Sequence, residues 1–248
     1  MMICRWVVAF AALALTACGS DLPDYRYKMT VHVATPGGDR AYSSVRGIHS
    51  EYVSSIMSSS GRTIKDTLQG EAVIMDLPDG RTVYALLSRP DNLDYATYVT
   101  GPALGRHIPR AKSGDITLAS AKGAFLDEIV SRREAMLALK GPYDLPRTVT
   151  HNPSHRTDYQ PEQMWPMFVM FSDPANPKTV IELSPEAIGV SNISIALTED
   201  EISSSVLSKL PWLPNQHGAL VPTPVGGSMF DKKPAQRVTA GAFRIGFP

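Results

Sequence analysis

The alternation of apolar and polar residues is clearest near the start of the chain. Every second residue from Tyr25 to Val33 is apolar, and the residues between them are polar or basic. A period of two predicts a β-strand with one buried face and one solvated face. The turn-forming residues Thr35–Asp39 then predict that the chain reverses into a second strand, over residues 41–52.

A second pattern indicates a hairpin. Two apolar runs, Glu71–Leu77 and Arg81–Leu87, flank the tripeptide Pro78-Asp79-Gly80. Proline sets φ at the corner and glycine accepts a positive φ, so this arrangement predicts a β-hairpin. Residues Ala72–Met75 are all apolar, which is typical of a strand covered on both faces. We therefore expect this hairpin at the centre of the sheet.

The second half of the chain contains further strand patterns. Met167–Phe171 reads as a buried strand, and Thr179–Leu183 returns after a proline-rich turn. Residues Ile193–Leu197 alternate and predict a half-buried strand. Arg237–Phe247 predicts a last strand, in which a bulge at Gly241 would reconcile a change of apolar phase.

Two helices are predicted. Ser120 can cap a helix that runs to about Lys140, where Gly141-Pro142 ends it. The spacing of Thr198-Glu199-Asp200-Glu201 is that of a capping box, which would open a short helix through Leu210. The fold class predicted from these elements is α+β: a mainly antiparallel β-sheet with one long helix (about Ser120–Lys140) and a short helix in the C-terminal half.

The first residues carry a targeting pattern. Arg5 supplies a positive charge, and the residues from Trp6 to Leu15 are all apolar. The sequence Leu15-Thr16-Ala17-Cys18 follows and resembles the lipobox of bacterial lipoproteins. Two alternatives are an uncleaved membrane helix, which needs about 20 apolar residues and finds fewer here, and ordinary signal cleavage that leaves Cys18 as a free thiol.

The lipoprotein resemblance implies a domain organisation and a location. Residues 1–17 would be the removed signal peptide, residues 18–24 a lipidated tether, and residues 25–248 a single mixed α+β domain. Two or three acyl chains on Cys18 would hold the protein at a membrane lastingly. Gly19 after the cysteine implies the outer membrane of the bacterial cell envelope, with the domain facing the periplasm.

Four segments of the body of the chain carry a second resemblance. They are Tyr25-Arg26-Tyr27-Lys28 leading to Thr35-Pro36, Gly70-Glu71-Ala72-Val73, Asn176-Pro177-Lys178-Thr179-Val180 and Lys209-Leu210-Pro211-Trp212-Leu213. These segments resemble segments of proteins of Gram-negative bacteria that have no assigned activity, so the resemblance transfers no functional residue.

Composition narrows the classes of partner. The chain has 24 basic and 24 acidic residues, and a near-neutral charge gives no reason to expect nucleic acid as a partner. Of its two cysteines, Cys4 would leave with the signal peptide and Cys18 would carry lipid. No intrachain disulfide is then possible, so we expect a fold held by its core alone.

The sequence contains few candidates for chemistry. His151 and His155 have metal-like spacing, but Pro153 interrupts a helix between them, so a polar loop is the favoured interpretation and these two residues are weak metal candidates. The sequence lacks the G-x-S-x-G elbow and the glycine-rich nucleotide motifs. It predicts no catalytic residue and no cofactor.

We therefore expect a non-catalytic envelope lipoprotein that binds a protein partner. Trp165 and Trp212 are the candidate interaction residues, because tryptophan is a common interface anchor, although both could be core residues. One alternative is a carrier of an apolar ligand such as a lipid or another envelope molecule, which requires a cavity of several hundred Å³. Another is an envelope hydrolase whose site is assembled from scattered His, Asp or Glu, and Ser residues.

Overall fold

The computed structural model describes residues 22–54, 62–89, 92, 94–108, 121–150, 161–221 and 234–246. Its helices are α1 (Tyr95–Tyr98), α2 (Thr100–Leu104), α3 (Ala121–Leu137), α4 (Pro185–Ile188) and α5 (Val206–Lys209). Its strands are β1 (Leu22–Thr35), β2 (Gly38–Ser54), β3 (Arg62–Glu71), β4 (Val73–Asp76), β5 (Thr82–Ala85), β6 (Tyr143–Asp144), β7 (Thr148–Val149), β8 (Glu162–Gln163), β9 (Phe168–Phe171), β10 (Val180–Leu183), β11 (Val190–Leu197) and β12 (Arg244–Ile245).

A six-stranded antiparallel sheet, in the order β12-β3-β2-β1-β11-β6, forms the larger layer. The prediction of a first strand with alternating burial is confirmed. The apolar residues of β1, from Tyr25 to Val33, are all buried on one face. We call this the inner face. On β2 the same face carries Arg46, which stands directly opposite Tyr27.

A four-stranded sheet, in the order β10-β9-β5-β4, packs on the inner face. The predicted hairpin forms, and Gly80 at its turn has a φ of 84° that favours glycine. On β4, Val73 and Met75 pack toward the larger sheet, while Ile74 packs against a second core that includes the C-terminal segments. Both faces are therefore covered, as the apolar run predicted. The hairpin is not at the centre of the sheet, however, because β4 is an edge strand of the smaller one.

The predicted α+β fold class with a long helix is wrong. Strands account for 43% of the described residues and helices for 25%, so the fold is mostly antiparallel β. A helix was predicted from Ser120 to about Lys140, whereas α3 begins at Ala121 and ends at Leu137. The chain leaves the helix there because Leu139 packs back onto the core and Tyr143 must reach β11, where it pairs with Ile195.

Two C-terminal predictions are also wrong. The helix predicted from Thr198 to Leu210 is reduced to the four residues of α5, because residues 198–205 run across the larger sheet instead. The long last strand is reduced to β12, which is preceded by two short 3-10 turns. There Phe243 is fully buried and stacks edge-on against Tyr84, with 5.6 Å between ring centroids. Core packing therefore overrides the strand pattern.

Candidate functional site

An open groove with a volume of about 820 Å³ lies at one end of the larger sheet. Its lining combines aliphatic side chains with charged and hydroxyl-bearing ones. The aliphatic residues are Ile48, Leu68, Leu137, Leu139, Leu197 and Ile202, and the polar residues are Asp24, Arg26, His49, Thr67, Gln69, Thr198 and Glu199; Tyr25, Gly47 and Gly246 complete it.

The groove exists because two neighbouring strands differ in length. β11 ends at Leu197, opposite Tyr27, whereas β1 continues back to Leu22. The Thr198 N–H donates to the Arg26 carbonyl at 3.1 Å, and the chain then departs from the sheet edge. The start of β1 is left without a β11 neighbour, which opens the space.

The departing segment, residues Thr198–Ser205, forms a strap over the outer face of the larger sheet. The Arg26 guanidinium donates to the carbonyls of Glu199 and Asp200, at 3.3 and 3.1 Å, and Lys28 pairs with the Asp200 carboxylate. These contacts hold the strap over β1, and Glu199 thereby lines the groove.

The strap continues over β2. The Ser203 N–H donates to the Val45 carbonyl at 3.1 Å, and the Val45 N–H donates to the Ser203 hydroxyl at 2.9 Å. Ile202 packs directly on the backbone of Gly47, where a Cβ would lie 2.8 Å from the Ile202 Cδ1. The strap therefore forms one wall of the groove at close range.

A buried carboxylate fixes the far end of the strap. Glu71 is 1% exposed, and its oxygens accept three hydrogen bonds. The Ser205 N–H and hydroxyl donate at 2.9 and 2.8 Å, and the Val206 N–H donates at 2.8 Å. Charge-assisted hydrogen bonds of this kind are the strong ones, so Glu71 is the main anchor of the wall.

The opposite wall comes from the end of α3. The Arg133 guanidinium donates to the Pro23 carbonyl at 2.7 Å and lies 4.6 Å from the centroid of the Tyr25 ring. Burial raises the pKa of Tyr25 to about 12, although a hydrogen bond with Thr100 and the charge of Arg133 act in the other direction. The phenol therefore stays neutral, and the contact holds Leu137 beside the groove.

The groove also contains an imidazole paired with a carboxylate. The His49 Nδ1 lies 2.9 and 3.0 Å from the two oxygens of Asp24. Because a carboxylate only accepts, Nδ1 carries the proton, and in the neutral ring Nε2 is then the acceptor. The register places Pro23 and Asp24 together opposite His49, and this bulge aims the carboxylate at the ring.

This pair does not extend to a serine nucleophile. Ser50 follows His49 on the same strand, so its side chain points to the opposite face of the sheet. The Ser50 hydroxyl donates to Asp66 at 2.6 Å and accepts from Arg133 at 3.1 Å. None of the described residues that line the groove is a serine.

The two predicted interaction residues lie elsewhere. Trp165 and Trp212 are both partly buried, and they pack against different core clusters. The Trp165 N–H donates to the Leu145 carbonyl at 3.1 Å, and the Trp212 N–H donates to the Pro174 carbonyl at 2.8 Å. Each indole thus has an internal hydrogen-bond partner, and their role at an interface stays a prediction.

The remaining predicted site residues, Cys18, His151 and His155, lie outside the described residues. Within the described ranges, no group of three or more His, Cys, Asp or Glu side chains is placed to hold a metal ion. None of the helices in those ranges has both the length and the apolar character that crossing a membrane requires.

Sequence reasoning missed Asp24 and His49. The alternation along β1 places Asp24 on the solvated face, but the contact between the two side chains depends on a register and a bulge that periodicity does not give. Comparison of the chain with protein-family models, with curated proteins and with solved structures finds no match.

Proposed function

We propose that this chain is a lipid-anchored protein of the bacterial cell envelope, held at the outer membrane, and that it acts by binding rather than by catalysis. The lipobox Leu15–Cys18 supports the anchor. β1 begins at Leu22, so at most about 15 Å of extended chain separates the Cys18 and Leu22 Cα atoms. The groove beside the start of β1 would then lie close to the membrane surface.

The groove is the observation that carries the binding proposal. Among its lining residues, Ile48 and Leu68 are buried, whereas the charged residues Asp24, Arg26 and Glu199 are exposed to solvent. An apolar centre with a polar rim is the usual anatomy of a protein interface. A segment of an envelope protein is therefore the first candidate occupant, and no nucleic acid or cofactor is proposed.

A second candidate function is supported by the size of the groove. Sites for small molecules have volumes of about 300–1,000 Å³, and the groove, at about 820 Å³, falls within this range. This agreement favours a carrier of an apolar ligand. The hydrolase alternative has no such support, because among the described residues that line the groove no serine stands beside the His49–Asp24 pair.

The anchor is tested by cell fractionation. Cys18→Ser should move the protein from the membrane fraction to the soluble fraction, and the mass of the purified wild-type protein should include acyl chains. Membrane association of the Cys18→Ser variant would refute the anchor.

The binding surface is tested by crosslinking in intact cells. A photo-reactive amino acid at Thr67, which is exposed on the groove, should give a discrete protein adduct. The same residue placed at Ser172, which is exposed beyond β9, should not. Equal crosslinking from both positions would refute the assignment of the groove as the protein interface.

A further inference from the structure

We infer that the groove holds an acyl chain of a phospholipid taken from the bilayer to which Cys18 is anchored. This inference rests on the proposed function, because the anchor brings the groove to the membrane. It develops the second candidate function, in which the groove takes a small apolar molecule instead of a protein segment, and three features of the groove support it.

The first feature is the aliphatic lining. Leu137 at the end of α3 is 38% exposed, although it is a large apolar residue. Leu139 beside it and Ile202 on the strap both line the same groove and are only partly buried. Apolar surface that is left in water at a concave site favours an apolar ligand.

The second feature is the charge at the rim. The hydrogen bonds of Arg26 all go to carbonyl oxygens, so no carboxylate in the described part of the chain neutralises its guanidinium. The Glu199 carboxylate makes no ion pair within those same ranges. Arg26 and Glu199 both line the groove, and a cation and an anion in one lining suit the phosphate and the amine of a zwitterionic headgroup.

The third feature is the position of the groove along the chain. Asp24 and Tyr25 line it and lie only six and seven residues after Cys18. Fully extended, seven residues span at most about 25 Å. A lipid anchor at Cys18 therefore keeps the groove within reach of the bilayer surface, where phospholipid is the most abundant apolar ligand.

Photolabelling of the full-length protein tests the inference. Wild-type protein is reconstituted in phosphatidylethanolamine vesicles that contain a trace of phospholipid with a diazirine at the end of one acyl chain. After illumination, labelled peptides are located by mass spectrometry. Labelling should concentrate at Leu137–Leu139 and Ile202 and exceed that at Ile181 by at least about five-fold.

Ile181 is the matched control position. It is 40% exposed, close to the value for Leu137, but it lies on β10 of the smaller sheet. Leu137→Asp should reduce groove labelling about five-fold or more, since a charge replaces an apolar contact. Ile181→Asp should leave it unchanged. Similar labelling at Leu137 and Ile181, or equal effects of the two substitutions, would overturn the inference.

A second arm separates the source of the acyl chain. If the groove held the protein's own lipid, wild-type protein would not be labelled, whereas the unacylated Cys18→Ser variant in mixed micelles would be. That result overturns the assignment to a bilayer phospholipid. If Cys18 carries no lipid but micelle labelling still maps to the groove, the anchor fails and the ligand class stands. No labelling in either protein refutes the ligand class itself.

Discussion

Arg46 is the most unusual residue of the core and gives a sharp prediction about stability. Its side chain is fully buried, and an arginine stays charged in any protein environment. Its Nε donates to the Glu71 carbonyl at 3.2 Å, and its guanidinium carbon lies 5.9 Å from the centroid of the Tyr27 ring. Within the described part of the chain, its Nη1 and Nη2 atoms have no hydrogen-bond partner. We therefore expect Arg46→Met to stabilise the protein.

The expected magnitude follows from these contacts. The substitution loses one hydrogen bond from a charged group, of about 1.5–3 kcal/mol, and one cation–π contact of about 0.5–2 kcal/mol. It removes two unsatisfied buried groups, each of which costs about 1–3 kcal/mol, together with an unpaired buried charge. The Glu71 carbonyl keeps the Ser44 hydroxyl as a donor, at 2.9 Å. The net gain should be about 1–3 kcal/mol.

Urea unfolding, followed by tryptophan fluorescence, measures this change. Trp165 and Trp212 report on the two core clusters, so both parts of the fold are monitored. Thermal unfolding should show the same direction, since 1 kcal/mol moves the Tm of a domain of this size by about 2–4 °C. The slope of the urea transition should not change, because the buried area stays nearly the same.

Arg89→Met is the matched control. Arg89 is 2% exposed, but it pairs with Glu162 at 2.8 Å and donates to the Gln163 carbonyl. Removing one partner of a buried ion pair costs about 3–5 kcal/mol, so this variant should be destabilised. If Arg46→Met is destabilised to a similar extent, the interpretation of Arg46 as an uncompensated charge is wrong.

Three further predictions concern the anchor of the strap, the glycines of the sheet and the acid limit of stability. Glu71→Gln should lower the free energy of unfolding by about 2–3 kcal/mol in urea, since an amide oxygen accepts fewer than the three donors present; an unchanged midpoint would contradict this. Gly70→Ala should cost about 1–3 kcal/mol, because the new Cβ would lie 2.8–3.3 Å from Arg46 Cγ, Cβ and Cα. Gly47→Ala should lower the free energy of unfolding by less, since its new Cβ would make its close contact with the flexible Cδ1 end of Ile202. A larger loss for Gly47→Ala than for Gly70→Ala would refute the packing argument. Hydrogen bonds from Thr82 and Lys209 lower the pKa of Asp76 below 3.8. The contribution of Asp76 to folding stability is therefore present above that pH and is lost as the pH falls through the lowered pKa. The Tm of Asp76→Asn should match that of wild type in acid and should be lower than that of wild type near neutral pH.

The sequence pattern predicted local structure where burial follows a simple period. On β1 the apolar positions all lie on the inner face, so the alternation is strict. On β2 the same face carries Ser44, Arg46 and Ser50, which are buried polar residues. Their presence weakens the alternation along β2, which begins at Gly38 and ends at Ser54, beyond both ends of the predicted strand.

The strap shows why other predictions failed. Thr198–Glu201 has the spacing of a capping box, yet its groups bind partners on β1 that are more than 160 residues away in sequence. The Asp200 N–H donates to the Thr198 hydroxyl at 3.1 Å, which forms a local turn in place of a helix start. Tertiary contacts with Arg26 and Lys28 then hold that turn in place. Local propensity carries no information about such partners.

The groove is harder to predict from the sequence than either the strands or the strap. The groove is deep because β11 ends at Leu197, whereas β1 extends to Leu22. This difference arises between two strands that are distant in sequence. Its walls then require that Arg133 holds α3 on the start of β1 and that Glu71 holds the strap beyond β2. Because the floor is formed by the antiparallel pairing of β1, β2 and β3 and the walls are held by separate polar contacts, a change at either wall should alter the groove while leaving the sheet intact.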